Sequence, residues 1–292
     1  MIPRGSVPTV IDRVPPITLV LGAVMSVQVG ASFAKTLFDD VGPGGTVLLR
    51  IILAAVILAL LWRPKVRGRS REEWLLVVAF GFCLAGMNYA FYAALDRIPL
   101  GVAVTFEFVG PLGIAVFGSR RPLDLLWVVL AGAGILLLAD PGGGFDGLGV
   151  GLALLAGAFW AAYILVSARM GKAIPGQSGL ALAMVGASVL VLPFGIAEGG
   201  AELLDPAVLG IGLGVAILSS AIPYSLEFEA LRRVPAGVFG VLMSLEPAMA
   251  ALAGFVVLGE VLDARELVAI GLVVVASAGA ARGASGPARL RD

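Results

Sequence analysis

The chain contains no histidine. Histidine-based zinc sites, Ser-His-Asp triads and imidazole proton relays are therefore excluded together. It has a single cysteine, Cys83, so no intramolecular disulfide and no cysteine metal cluster can be built. Charge is scarce as well. Asp, Glu, Lys and Arg supply 14% of the residues, against about 25% in a soluble globular chain. Net charge is zero, which leaves no basic field suited to nucleic acid. The run Pro141-Gly142-Gly143-Gly144 lacks the Lys-Ser/Thr of a phosphate loop and reads as a turn. An intramembrane enzyme would need a nucleophile or a metal site; there is no paired cysteine and no HExxH motif, so neither an enzyme nor a cofactor is expected.

Apolar residues are abundant instead. They form 59% of the chain, and the mean hydropathy is +1.02. Apolar runs recur at the length of about 20 residues that a helix needs to cross a bilayer. They place ten spans near 17–38, 42–62, 73–95, 98–117, 122–139, 147–169, 178–197, 207–231, 235–258 and 264–281. The connections fall at Gly42-Pro43, Arg63-Pro64-Lys65, Arg97-Ile98-Pro99, Arg121-Pro122, Asp140-Pro141-Gly142, Asp205-Pro206 and Arg233-Val234-Pro235. Arg4 and Arg13 precede the first run, which reads as an uncleaved helix because it is span-length and leads directly into further spans. With the N-terminus cytoplasmic, 16 Lys and Arg residues lie in the inner loops and tails and only Arg97 and Arg265 lie outside. The positive-inside rule thus sets both termini, residues 1–16 and 282–292, in the cytoplasm.

The second half repeats the first. Ala94–Pro111 aligns with Ala230–Pro247 at an offset of 136 residues, with seven of 18 positions identical. Five spans per copy invert the second copy across the membrane, so residues 17–140 and 147–281 are expected as two inverted five-helix repeats, an arrangement common among secondary transporters. The fold class is an all-α integral membrane protein.

The polar residues left inside the spans mark candidate chemistry. Arg50, Glu107 and Glu246 fall near mid-span, where a charge is costly and usually faces a partner or a wet cavity. Lys35 and Glu229 lie near span ends, where snorkelling suffices. Helical spacing aligns Gln28 with Ser32 and Lys35, Asn88 with Tyr92, Trp160 with Tyr163 and Ser167, Ser220 with Tyr224 and Glu227, and Met243 with Glu246. Together they suit a mixed polar and aromatic cavity for a small solute. Single aromatics in such rows are more often packing than ligand contacts, and one Arg can serve simply to neutralise a Glu. Pro111 and Pro247 occupy equivalent repeat positions and each deletes a helical hydrogen bond, so both halves are interrupted at a matching depth. The glycines of Gly147-x-Gly149-x-Gly151 and Gly210-x-Gly212-x-Gly214 read as helix-packing positions.

Several segments resemble the drug/metabolite transporter superfamily in its EamA-type branch, nearest to the bacterial inner-membrane threonine/homoserine exporter group. They are Gly30–Leu37, Gly86–Tyr92, Pro99–Pro111, Ser119–Val129, Phe159–Leu165, Ala216–Ala230 and Phe239–Glu260. The resemblance implies export of small amino acids or related metabolites driven by an ion gradient, protons foremost. An amino-acid zwitterion asks for an anionic group beside its ammonium, which Glu107 or Glu246 supplies. Its carboxylate asks for a donor set, which Arg50, Gln28 and Asn88 supply. Glu107, Glu246 and Glu227 are the candidate proton-coupling groups. Other cargoes stay open: an aromatic amino acid, a cysteine-related metabolite, a drug or a lipid. The expected partners are the solute, the bilayer and a second copy packed at the periphery through the fifth and tenth spans.

Overall fold

A computed structural model describes residues 14–117, 123–138, 146–174, 178–223, 226 and 242–284. The described residues are helical with short connections and contain no β-strand. In chain order the helices are α1 (Pro16–Lys35), α2 (Phe38–Trp62), α3 (Arg71–Leu95), α4 (Leu100–Glu107), α5 (Val109–Phe117), α6 (Leu123–Leu138), α7 (Gly147–Ala173), α8 (Ser178–Gly199), α9 (Pro206–Ala216), α10 (Glu246–Ala253) and α11 (Ala264–Ala284). Five helical stretches, 17–35, 38–62, 71–95, 147–167 and 178–204, are long and apolar enough to cross a membrane. Shorter apolar helices cover Leu100–Ile114, Pro206–Ala221 and Glu246–Leu258.

Local chemistry fixes most boundaries. Pro15 precedes α1, with Pro16 at its first turn, where a missing N–H costs nothing. Ser70 and Glu73 form a reciprocal capping box at the start of α3, satisfying two otherwise orphaned donors. Asp205 caps α9 through the N–H groups of Ala207 and Val208. Asp146 caps α7 through Leu148 N–H and also pairs with Arg97 at 2.6 Å. The Arg97 guanidinium and that N–H hold the Asp146 carboxyl below its ordinary range.

The first connection opens earlier than expected and closes where expected. α1 already ends at Lys35, and the chain breaks again at Gly42, with φ 66° and ψ 170°, before the long helix of the second span begins. Thr36 closes the α1 end from an ordinary αR conformation, its N–H bonded to Phe33 O, so the turn needs neither Gly nor Pro.

Packing joins the two halves rather than closing each on itself. α2 lies along α8, α3 along α7 and α8, and α6 along α11. α4 meets α7 and α10, and α1 meets α9, its continuation and α10. The core is lined with small side chains and punctuated by Leu, Ile and Phe. Opposite faces present Ile52, Val56 and Leu60 on α2 and Val185, Val189 and Ile196 on α8, as a lipid-facing surface requires. The glycine triplets behave less uniformly than expected. Gly149 abuts Arg97 and Ile98, and Gly212 abuts Leu49, but a Cβ at Gly147, Gly151, Gly210 or Gly214 would meet nothing. Only the middle glycine of each triplet is a close-packing position.

Candidate functional site

Broken helix surrounds the central polar residues. In the fourth span the helix stops at Glu107, turns through Phe108 and restarts at Val109. Phe108 N–H still bonds Val104 O, and Leu112 N–H bonds Phe108 O. Pro111 has no N–H to offer the Glu107 carbonyl. That carbonyl faces α7: a Cβ on Gly157 would lie 2.5 Å from the oxygen, and one on Gly110 would collide with Gly157 O. The break is thus covered by a neighbouring backbone that only glycine permits, which is how irregular backbone survives at membrane depth. Trp160, one turn further along α7, meets Phe108 edge to face at 5.1 Å.

The ninth span has a matching interruption. Ser244 and Leu245 form a turn, and α10 restarts at Glu246 with Pro247 in its first turn. An offset of 136 residues carries Phe108 onto Ser244. A further irregularity lies beyond α9, where Ile217–Ala221 widens into a π-turn, a form frequent at functional sites. Pro223 follows the turn and has no N–H to offer Ser219 O.

Arg50 on α2 reaches this π-turn. Its guanidinium donates to Ser219 O at 3.1 Å and to Tyr92 Oη at 3.2 Å. It also sits 5.4 Å from the centre of the Tyr92 ring, a cation–π contact. Tyr92 is fully buried against Phe38 and Phe91. The structure therefore brings Arg50, Tyr92 and the Ser219–Ser220 turn to one place. Glu107, at the end of α4, is 8% exposed.

The other candidates distribute around it. Gln28 is 2% exposed, and its Oε1 accepts from no group among the described residues. Ser219 Oγ is likewise buried without a partner among them, pressed against Gly30. Ser220 and Glu246 are buried. Asn88 is buried, but its amide donates to Leu84 O of its own helix at 2.8 Å, so one of its donors is already used. Tyr163 stacks on Phe80 at 4.7 Å. Met243 packs beside Leu19, Val20 and Val24 in a separate apolar cluster. Tyr224, Glu227 and Glu229 lie outside the described residues. Lys35 pairs with Glu260 at 2.6 Å. The free carbonyl of Ser219 is signalled in sequence by Pro223, whereas Phe108 and Gly157, a ring at a break and a glycine crossing, carry no signal in residue type alone.

These features define a polytopic helical membrane protein with a buried charged centre between its two halves. The profile of the EamA-like transporter family matches twice, over residues 14–139 and 147–282, and the chain belongs to that family. It is 45% identical over 267 residues to the threonine/homoserine exporter RhtA of Escherichia coli K12, covering 90% of each chain. It is 43% identical over 267 residues to the protein of that name in Salmonella typhimurium LT2, again over 90% of each. An uncharacterized transporter of Bacillus subtilis, YwfM, is 28% identical over 243 residues, covering 78% of this chain and 82% of its own. A solved crystal structure superimposes with a TM-score of 0.64 at 19% identity, over 90% of this chain and 96% of that one, a likeness of fold. The protein is a multi-pass protein of the bacterial cytoplasmic membrane.

Proposed function

We propose that the protein is a secondary exporter of small neutral amino acids, threonine and homoserine foremost, working by alternating access. The observation that carries this reading is Arg50, a cation held inside the helical bundle by Tyr92 Oη and Ser219 O. The same bundle buries the Glu107 carboxyl. A basic and an acidic group inside one bundle suit a zwitterion, with Arg50 toward the carboxylate and Glu107 toward the ammonium. The unpartnered Oε1 of Gln28 and Oγ of Ser219 suit a cargo that brings a hydroxyl of its own, since buried polar groups want partners. The names carried by the relatives at 43–45% identity support the same substrate class.

Proton coupling follows from one carboxyl serving two ligands. An ammonium binding at Glu107 favours the ionised form and expels the proton, and protonation favours release of the solute. Glu246, buried at the start of α10, is the second coupling group, and Glu227 a third.

Two inverted repeats, 17–140 and 147–281, provide the alternation, with both termini cytoplasmic. The double family match and the equivalent breaks at Phe108 and Ser244 support the repeat. The helix pairing does so as well. Exchanging the halves maps the α2–α8, α6–α11 and fourth–ninth-span pairs onto themselves and the α3–α7 pair onto the eighth- and first-span pair, and all of these pairs are present. The fifth and tenth spans pack on each other and turn Val129, Leu267, Val268 and Val275 outward, the face a homodimer would use.

Counterflow in proteoliposomes tests the reading. Vesicles preloaded with unlabelled threonine should accumulate labelled threonine and homoserine, and an imposed proton gradient should change the rate. Counterflow only with an aromatic amino acid, a cysteine-related metabolite, a drug or a lipid would reassign the cargo. Counterflow of none of these would overturn the reading.

A further inference from the structure

Two carboxylates of the second half cap two helix starts of the first, on one side of the membrane. Glu260 follows α10 and its π-turn. Gly259 at φ 68° reverses the chain there, and Glu260 N–H bonds back to Gly254 O. The carboxylate is thereby folded over the helix end, against Gly254. One oxygen accepts from Lys35 Nζ at 2.6 Å, at the last residue of α1, and the other accepts from Leu100 N–H at 2.9 Å, at the first residue of α4. Glu198, near the end of α8, does the same elsewhere. It accepts from Gly44 N–H at 2.6 Å and from Tyr89 Oη–H at 2.9 Å. Gly44 N–H begins the helix that restarts after the Gly42 break in α2. Both acids satisfy orphan N–H groups at the positive end of a helix dipole.

Counting spans places all these groups together. Lys35, Gly44, Tyr89, Leu100, Glu198 and Glu260 all lie at the ends or starts of spans that meet the same face. By the distribution of Lys and Arg that face is the outer one. We propose that Glu260 and Glu198 are gating residues. Their bonds to Lys35, Leu100, Gly44 and Tyr89 hold the outer ends of the two halves together, and opening to the outside requires both carboxylates to leave. This rests on the reading of the protein as an alternating-access transporter. It adds that the outer opening is governed by polar contacts at the helix ends, remote from Arg50 and Glu107. Hydrogen bonds to a charged partner are the stronger kind, and a two-state equilibrium moves only by the difference in contacts between its states.

The test places one reporter cysteine, Ser220→Cys, in a Cys83→Ala background. Ser220 is 1% exposed and lies in the π-turn beside the Arg50 contact. A membrane-impermeant thiol reagent is applied to each face of sealed vesicles. Lys35→Met, Glu260→Ala and Glu198→Ala should each raise labelling from the outer face by about tenfold and lower it from the inner face. Glu260→Gln, which keeps an acceptor for Leu100 N–H and so protects folding, should give a smaller rise in the same direction. A rise from the cytoplasmic face instead would support the gate and overturn the assigned orientation. A rise from the outer face, with no threonine counterflow in the Cys83→Ala protein that keeps Ser220, would support the gate and overturn the cargo. Unchanged labelling from both faces in all four variants, each folded in the membrane, would overturn the gate.

Discussion

Arg50 is the residue on which the proposed transport chemistry turns. Two different nitrogens of its guanidinium hold two different elements, Tyr92 on α3 and Ser219 in the π-turn. An ammonium cannot span both with the same geometry. Arg50→Lys should therefore cut the initial rate of threonine counterflow by at least about tenfold while the protein still reaches the membrane, since a hydrogen bond to a charged group is worth about 1.5–3 kcal/mol. Glu107→Gln and Glu246→Gln should each reduce counterflow at least as strongly, and Glu107→Gln should also remove its response to a proton gradient. Normal rates in both Gln variants would sink the site assignment. Asp146 makes a different prediction, because it lies outside the spans. Arg97 depresses its folded-state pKa, so its contribution to stability is present above the ordinary carboxyl range near about 3.9 and is lost as pH falls through the lower folded value. Asp146→Asn should thus lower the melting temperature in detergent slightly at neutral pH, less in high salt, and not at all once both states are protonated. Arg50, Glu107 and Glu246 were legible in the sequence because charge inside an apolar run is conspicuous. The Lys35–Glu260 pair was not: 225 residues separate the partners, and each sits at a span end where a lone charge has an unremarkable explanation.

Helix interruptions do more here than helix lengths. Sequence revealed them where proline causes them, at Pro111 and Pro247. Gly42-Pro43 likewise marks the break before the long helix of the second span, although α1 already ends at Lys35. Pro223 follows the π-turn at Ile217–Ala221, whereas no proline follows the one at Gly254–Leu258 closely. α7 offers a controlled test of how such breaks are covered. Gly157 meets the freed Glu107 carbonyl, whereas Gly151 on the same helix has open space around it. Gly157→Ala should destabilise by about 1–3 kcal/mol, as overpacking against an immovable backbone does. Gly151→Ala should be neutral or stabilise by about 0.4–1 kcal/mol through the unfolded chain. Thermal unfolding of the purified proteins compares them directly, and equal melting temperatures would mean that the α4–α7 crossing yields more readily than its contacts suggest.

The proposed inversion of the second half makes a prediction that no single helix can. An offset of 136 residues relates the halves. It carries Val66, in the loop between α2 and α3, onto Glu202, in the 3₁₀ turn after α8. Both positions are exposed, and neither touches the central charges. In a direct repeat with an even number of spans they would share a face of the membrane. With five spans per copy they must lie on opposite faces. The Lys and Arg distribution further assigns Val66, flanked by Lys65 and Arg67, to the cytoplasm. Single cysteines Val66→Cys and Glu202→Cys, each in the Cys83→Ala background, separate the possibilities. An impermeant thiol reagent added to intact cells should label Glu202→Cys and spare Val66→Cys, and inside-out vesicles should show the reverse. Swapped reactivities would leave the inversion standing and reverse the orientation. Labelling of both from one face would mean an even number of crossings between them, and the paired breaks at Phe108 and Ser244 would then be coincidence rather than symmetry.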